Sequence, residues 1–137
     1  MRLETEQARA RFSSARIARL ATVDDEYPHL VPITFAVHGD TVVTASDRRP
    51  RHAEQLRRLA GIIANPRVAL LADEHDDDCS PLWWARADGV AHVEHDGEER
   101  SAALDLLAER YPQYRDDRPD GPVILIGVAR WSGWSAR

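Results

Sequence analysis

Arginine residues cluster in one short segment, and guanidinium groups are suited to holding anions. Residues 47–51 (DRRPR) precede a predicted helix that carries Arg57 and Arg58. Arginine binds phosphate oxygens through paired hydrogen bonds, and a helix N-terminus adds favourable partial charge. A phosphate-binding loop is therefore one interpretation of this segment, although the spacing alone favours the alternative. The alternative is a solvated basic face, because all 18 basic residues of this chain are arginine and none is lysine.

Two apolar segments could contact a flat ligand. Residues 31–35 (VPITF) contain a proline, which removes one backbone donor and belongs at a sheet edge or a bulge. Such a strand can face a heterocycle, although the segment alone favours an ordinary barrel strand with an edge proline. Trp83 and Trp84 are adjacent, so in a strand they face opposite sides. We expect one indole in the core and the other at a surface, a groove or another subunit.

The remaining polar clusters give no catalytic pattern. Residues 73–80 (DEHDDDCS) lack the spacing and glycine of a calcium loop, so we interpret them as a solvated acidic loop and expect no metal. Cys79 is the sole cysteine, and no Cys-His-Asp pattern accompanies it. The serines stand in no Gly-x-Ser-x-Gly context. A self-contained hydrolase is therefore poorly supported.

Composition narrows the class of protein. The chain has 137 residues, which predicts one domain over residues 1–137. Its 18 basic and 23 acidic residues give a net charge of −5, which disfavours nucleic acid and anionic membranes as partners. No apolar run is long enough for a membrane span, and no export signal follows Met1. A single cysteine fits a reducing compartment, so we expect a cytoplasmic protein.

The periodicity of apolar residues predicts a mainly β fold. Helical spacing predicts helices over residues 3–12, 52–64 and 98–111. Alternation predicts strands over residues 16–24, 29–37, 41–46, 67–72, 81–95 and 122–131. Gly89 indicates a bulge, and residues 38–40 (HGD) a hairpin turn. Hairpin-length links and the absence of βαβ alternation predict a six-stranded antiparallel barrel.

Several of these segments together resemble one known family. Residues 17–35, with the runs IARLATV and YPHLVPITF, resemble the opening of the pyridoxamine-phosphate-oxidase-like split-barrel proteins. Residues 47–51 and 65–71 (NPRVALL) resemble that family's phosphate loop and fourth strand. Residues 82–89 (LWWARADG), with an acidic run at 76–78 and a terminal WSGW, are similar to an actinobacterial branch of F420-dependent enzymes. The resemblance covers roughly residues 10–135.

The resemblance implies a six-stranded split β-barrel of the FMN-binding type that forms a homodimer. FMN or the deazaflavin coenzyme F420 would lie in two equivalent grooves at the dimer interface. By position, the ring would contact Val31, Pro32, Ile33, Thr44, Ala45 and Ser46. The phosphate would meet Arg49 and Arg51, with Arg57 as a third candidate. Trp83, Trp84 and Arg86 would come from the strand that approaches the interface.

The implied activity is hydride transfer between F420 and a small conjugated or heteroaromatic substrate. The cofactor carries the chemistry, so the protein has to hold the ring against a substrate and exclude water. No catalytic residue is identified. Two alternatives stay open: an FMN-binding oxidase or reductase on the same fold, and a non-catalytic protein that carries F420 or a flavin.

Overall fold

The computed structural model of the chain describes residues 1–24, 27–45, 52–77 and 80–136. Its helices are α1 (Thr5–Ser14), α2 (His52–Ala64), α3 (Gly97–Arg110) and α4 (Gln113–Asp116). Its strands are β1 (Ala18–Val23), β2 (Pro28–Ile33), β3 (Ala36–His38), β4 (Thr41–Ala45), β5 (Arg67–Asp76), β6 (Ser80–Glu94) and β7 (Val123–Ser135). The three predicted helices are confirmed, and the short α4 lies between the last predicted helix and the last predicted strand, where no element was predicted. No described helix is long and apolar enough to cross a bilayer.

The strands form one antiparallel sheet in the order β2-β1-β5-β6-β7-β4-β3. The predicted mainly β, antiparallel fold is confirmed, with seven strands in place of six. β2 is an edge strand, and it contains Pro32. An edge strand pairs with a neighbour on one side only, so it tolerates a residue without a backbone N–H, as the sequence predicted.

The additional strand arises because the predicted strand 29–37 breaks at Thr34 and Phe35. The Phe35 side chain is fully buried, and its backbone N–H donates to the Tyr111 hydroxyl at 3.2 Å instead of to a neighbouring strand. The Phe35 carbonyl accepts from Arg110 at 3.0 Å, and the Thr34 carbonyl accepts from the Thr44 hydroxyl at 2.7 Å. These side-chain partners replace the ladder, so β2 ends and β3 begins as a separate strand.

Two apolar clusters hold the sheet and helices together. The larger one fills the inner face of the sheet, where Leu20, Leu70 and Ile126 are almost fully buried. Phe12 of α1 enters this cluster, with its ring centroid 4.9 Å from that of Phe35. The smaller cluster lies on the opposite face of β4 and β7, where α3 covers it through Leu107 and its neighbours. Helix α3 thus shields one part of the outer face.

Residues 73–76, which were predicted as part of a loop, belong to strand β5. Asp73 pairs with Trp84 and Glu74 with Trp83, so the acidic residues 73–76 continue the ladder. The loop prediction is wrong for these four residues, because composition cannot reveal pairing with a partner strand. The predicted irregularity at Gly89 is confirmed: the β6–β7 register shifts between Asp88 and Gly89.

Candidate functional site

A row of side chains crosses four strands on the outer face of the sheet. The register places Pro32 of β2 opposite Arg19 of β1, and Arg19 opposite Leu71 of β5. Leu71 in turn lies opposite Arg86 of β6. Neighbouring strands are about 4.8 Å apart, so the row is about 14 Å long. It brings two of the sequence-predicted site residues, Pro32 and Arg86, onto one face.

Beside this row lies a concavity of about 510 Å³, which we call the outer basin. Its floor is apolar and consists chiefly of Ala21, Leu30, Ala69, Leu71, Leu82 and Trp84. Charged groups stand at its rim, namely Arg19, Asp73 and Arg86. The volume falls within the range of small-molecule sites, which typically combine an apolar lining with a few polar groups.

The basin exposes large aliphatic side chains to solvent. Leu30 is 68% exposed, Leu82 41% and Leu71 36%. Full burial of an exposed leucine contributes about 1.5–3 kcal/mol, so covering each of these partly exposed side chains contributes a fraction of that amount. Contiguous apolar surface of this kind marks binding sites or interfaces on folded proteins.

The charged groups of the basin form two exposed ion pairs. The Arg19 guanidinium lies 2.7 Å from Asp73, and the Arg86 guanidinium lies 3.0 Å from Asp88. Exposed pairs contribute little to stability, about 0–1 kcal/mol each. Each guanidinium has five N–H donors, so both arginines retain donors for a phosphate or carboxylate. The rim can therefore orient an anionic group while the floor contacts an apolar ring.

The two adjacent tryptophans separate as the alternation predicts. Trp83 is 3% exposed in the core, and the Arg11 guanidinium lies 5.6 Å from its ring centroid. Trp84 faces outward and lines the basin. Of the pair, Trp84 has the side chain that a ligand on the outer face would meet, whereas the Trp83 indole is enclosed by core residues.

The predicted ring-contact segments lie toward opposite ends of the strand order, and a hydrogen bond joins them. The Thr44 hydroxyl donates to the Thr34 carbonyl, which joins the end of β4 to the end of β2. Val31 and Ile33 point toward the core, and Ala45 packs beside the cluster under α3. The Thr44 side chain is 1% exposed, so its role in the structure is to hold the Thr34 carbonyl by a hydrogen bond.

The remaining predicted residues are the last ring contact, Ser46, and the three phosphate-binding arginines. Ser46, Arg49 and Arg51 lie outside the described residues, so their predicted contacts stay predictions. Arg57 is exposed on α2, which packs on the core through the buried Ile62. An exposed arginine on this helix is sterically accessible to an anion.

Sequence reasoning missed the outward leucines and the Arg19–Asp73 pair. Leu30, Leu71 and Leu82 alternate with inward residues in their strands, a signal that was readable in the sequence. The ion pair was harder to predict, because its members are 54 positions apart in the sequence and Asp73 was assigned to a loop. No histidine or cysteine lines the basin in the part that the structure describes.

Comparison with known proteins identifies the family. The profile described as pyridoxamine 5'-phosphate oxidase matches residues 4–135. The chain belongs to the pyridoxamine 5'-phosphate oxidase family. This confirms the family inferred from the sequence motifs. No protein of curated function matches the chain.

Solved structures share the fold of this family member at low sequence identity. A FAD-binding protein from Mesorhizobium loti has a TM-score of 0.77 and 20% identity, covering 100% of this chain and 98% of that chain. The FAD-binding protein from Mycobacterium smegmatis has a TM-score of 0.68 and 20% identity, covering 100% of both chains. A conserved hypothetical protein from Mycobacterium tuberculosis has a TM-score of 0.73 and 22% identity, covering 98% of this chain and 86% of that chain.

Proposed function

We propose that this chain is an oxidoreductase that binds a flavin-type cofactor on the outer face of its sheet. The observation that carries the proposal is the outer basin, with an apolar floor that includes Trp84 and with Arg19 and Arg86 at its rim. A flavin nucleotide combines a flat ring with phosphate, and these two parts match the two kinds of lining. Family membership and two FAD-binding structural relatives support the same cofactor class.

A flavin nucleotide is the first candidate cofactor, and F420 is the second. The flavin is favoured by the relatives named as FAD-binding proteins. F420 is favoured by the LWWARADG segment at residues 82–89, which includes the basin residues Trp84 and Arg86. Both cofactors carry a planar ring and a phosphate group, so the same surface suits either. The bound ring supplies hydride chemistry to a small conjugated or heteroaromatic substrate.

The residues of this chain would bind and orient the cofactor and exclude water. Trp84, Leu30 and Leu71 offer apolar contacts to a ring, and Arg86 and Arg19 offer hydrogen-bond donors to an anionic group. Arg49 and Arg51, with Arg57, are further proposed ligands of the cofactor's anionic part, from the segment before α2 and from that helix. A low-dielectric floor strengthens electrostatic contacts at its rim.

We further propose that the active form is a homodimer. In the described part of the chain, no helix covers the outer face of β1, β2, β5 and β6, where three leucines are strongly exposed. A second copy placed on this face would bury these leucines and enclose the basin. Strand β6 would then bring Trp84 and Arg86 close to the partner's groove. Light scattering tests this point: a mass near twice 15.4 kDa is expected, and a mass near 15.4 kDa contradicts the dimer.

Fluorescence titration of the purified protein with FMN, FAD and F420 tests the cofactor proposal. Saturable binding of one of them at one site per chain is expected. Arg86→Ala should weaken that binding by about tenfold or more, since one charge-assisted hydrogen bond contributes about 1.5–3 kcal/mol. Arg118→Ala is the matched control, because Arg118 is also exposed and also forms an ion pair, with Asp105 at 2.8 Å.

Binding and turnover are separate outcomes. Saturation by none of the three cofactors would refute the proposal, and equal weakening by both variants would remove Arg86 from the site. Anaerobic reduction of the bound cofactor, followed by reoxidation with nitroaromatic or quinone acceptors, distinguishes an enzyme from a carrier. A carrier would bind the cofactor and oxidise no substrate at any acceptor concentration.

A further inference from the structure

We propose that His92, Glu94 and Glu99 form a binding site for a divalent first-row transition metal, with Zn²⁺ as the representative ion. The site lies where β6 meets the first turn of α3, away from the outer basin. His92 and Glu94 are two residues apart in β6 and share one face of the strand. Glu99 reaches the same point from α3.

The distances among the three side chains suit a metal ion. His92 Nε2 lies 3.1 Å from a Glu99 carboxylate oxygen and 3.6 Å from a Glu94 carboxylate oxygen. Two ligands about 2.1 Å from a tetrahedral zinc ion are about 3.4 Å apart, so both distances need only small adjustments. The three donor atoms all lie within 4.8 Å of one another. An ion at their centre could therefore contact all three.

The charge around His92 also favours a cation. Two carboxylates approach one imidazole nitrogen, and that nitrogen has a single site for a proton or a metal. Within the described residues, no arginine forms an ion pair with Glu94 or Glu99. The exposed fractions of 54% for His92, 35% for Glu94 and 62% for Glu99 leave the donors accessible to an ion from solvent.

The donor types indicate which metals should bind. One imidazole and two carboxylates suit zinc and its first-row neighbours, whereas Mg²⁺ prefers an all-oxygen, largely hydrated shell. Three protein ligands leave room for water in the coordination sphere. A bound ion would link β6 to α3, the helix that covers the outer face of β4 and β7. The sequence did not indicate this cluster, because the spacing His-x-Glu-x4-Glu matches no common motif.

Titration of the chelator-treated, untagged protein with Zn²⁺ by calorimetry tests the proposal. One Zn²⁺ per chain should bind in the micromolar range, and it should raise the melting temperature, because a ligand specific for the folded state stabilises it. Mg²⁺ at the same concentrations should do neither. Glu99→Gln and His92→Ala should each weaken Zn²⁺ binding by about tenfold or more.

Two control variants separate this site from incidental binding. Glu98→Gln removes a carboxylate from the same turn of α3 that does not belong to the cluster. His75→Ala removes an exposed imidazole whose Nε2 lies 3.4 Å from the Asp77 carboxylate. Both controls should bind Zn²⁺ as the unmodified chain does. An absence of saturable Zn²⁺ binding, or an equal loss in the controls and the cluster variants, would overturn the proposal.

Discussion

Removing the Tyr111 hydroxyl should destabilise the junction that separates β2 from β3. This hydroxyl accepts from the Phe35 amide at 3.2 Å and lies 2.9 Å from the Arg16 carbonyl and 3.0 Å from the Phe35 carbonyl. In Tyr111→Phe, the Phe35 carbonyl keeps its hydrogen bond from Arg110. Arg16 is exposed, so its carbonyl can accept a hydrogen bond from water instead. The buried Phe35 amide loses its partner, which costs about 1–3 kcal/mol.

That energy converts into a measurable shift in melting temperature. An unfolding entropy of about 2.1 cal/mol/K per residue gives about 0.29 kcal/mol/K for 137 residues. Tyr111→Phe should therefore lower the melting temperature by about 3–10 °C in calorimetry. Tyr114→Phe is the control, because the Tyr114 hydroxyl bonds to the Thr34 hydroxyl at 2.8 Å and Tyr114 is only half-buried. Equal shifts in the two variants would refute the role assigned to the Phe35 amide.

Two further predictions concern stability. Gly89→Ala should destabilise the fold by more than about 1 kcal/mol, because a Cβ there would lie 2.3 Å from the Gly127 carbonyl oxygen. Urea unfolding measures this loss, and an unchanged midpoint would contradict the prediction. Hydrogen bonds from Trp131 and then Arg9 lower the pKa of Asp40 below 3.8. The Asp40 carboxylate therefore contributes to stability above pH 3.8, and this contribution is lost as the pH falls through the folded-state pKa. The stability difference between the unmodified chain and Asp40→Asn should accordingly shrink in acid unfolding curves below pH 3.8, whereas a difference independent of pH would remove the carboxylate from this account.

The sequence predicted best those features that depend on local pattern. Helix α2 matches residues 52–64 because its apolar positions repeat at helical spacing and Asn65-Pro66 ends it. The opposite orientations of Trp83 and Trp84 follow from the two-residue period of a strand. Both inferences need only neighbouring residues and the geometry of one element.

Features that depend on distant partners could not be predicted in this way. The break between β2 and β3 arises from Arg110 and Tyr111, which are 75 and 76 positions beyond Phe35. The strand character of residues 73–76 depends on pairing with β6, although their composition is typical of a loop. The candidate site shows the same division, because Trp84 was predicted and the Arg19–Asp73 pair that stands beside it was not.

The way the helices are distributed gives the strongest reason to place ligand binding on the basin side of the sheet. Helix α3 covers the outward residues of β4 and β7, and Val123 and Val43 are consequently almost fully buried. The outward residues of β2 and β5 are equally aliphatic at Leu30 and Leu71, yet no helix of the described part covers them. Burial of such side chains is favourable wherever a surface is offered. A cofactor and a second copy of the chain could together supply that surface. The arginines at the rim of the basin favour direct contact with the cofactor, because the cofactor carries phosphate.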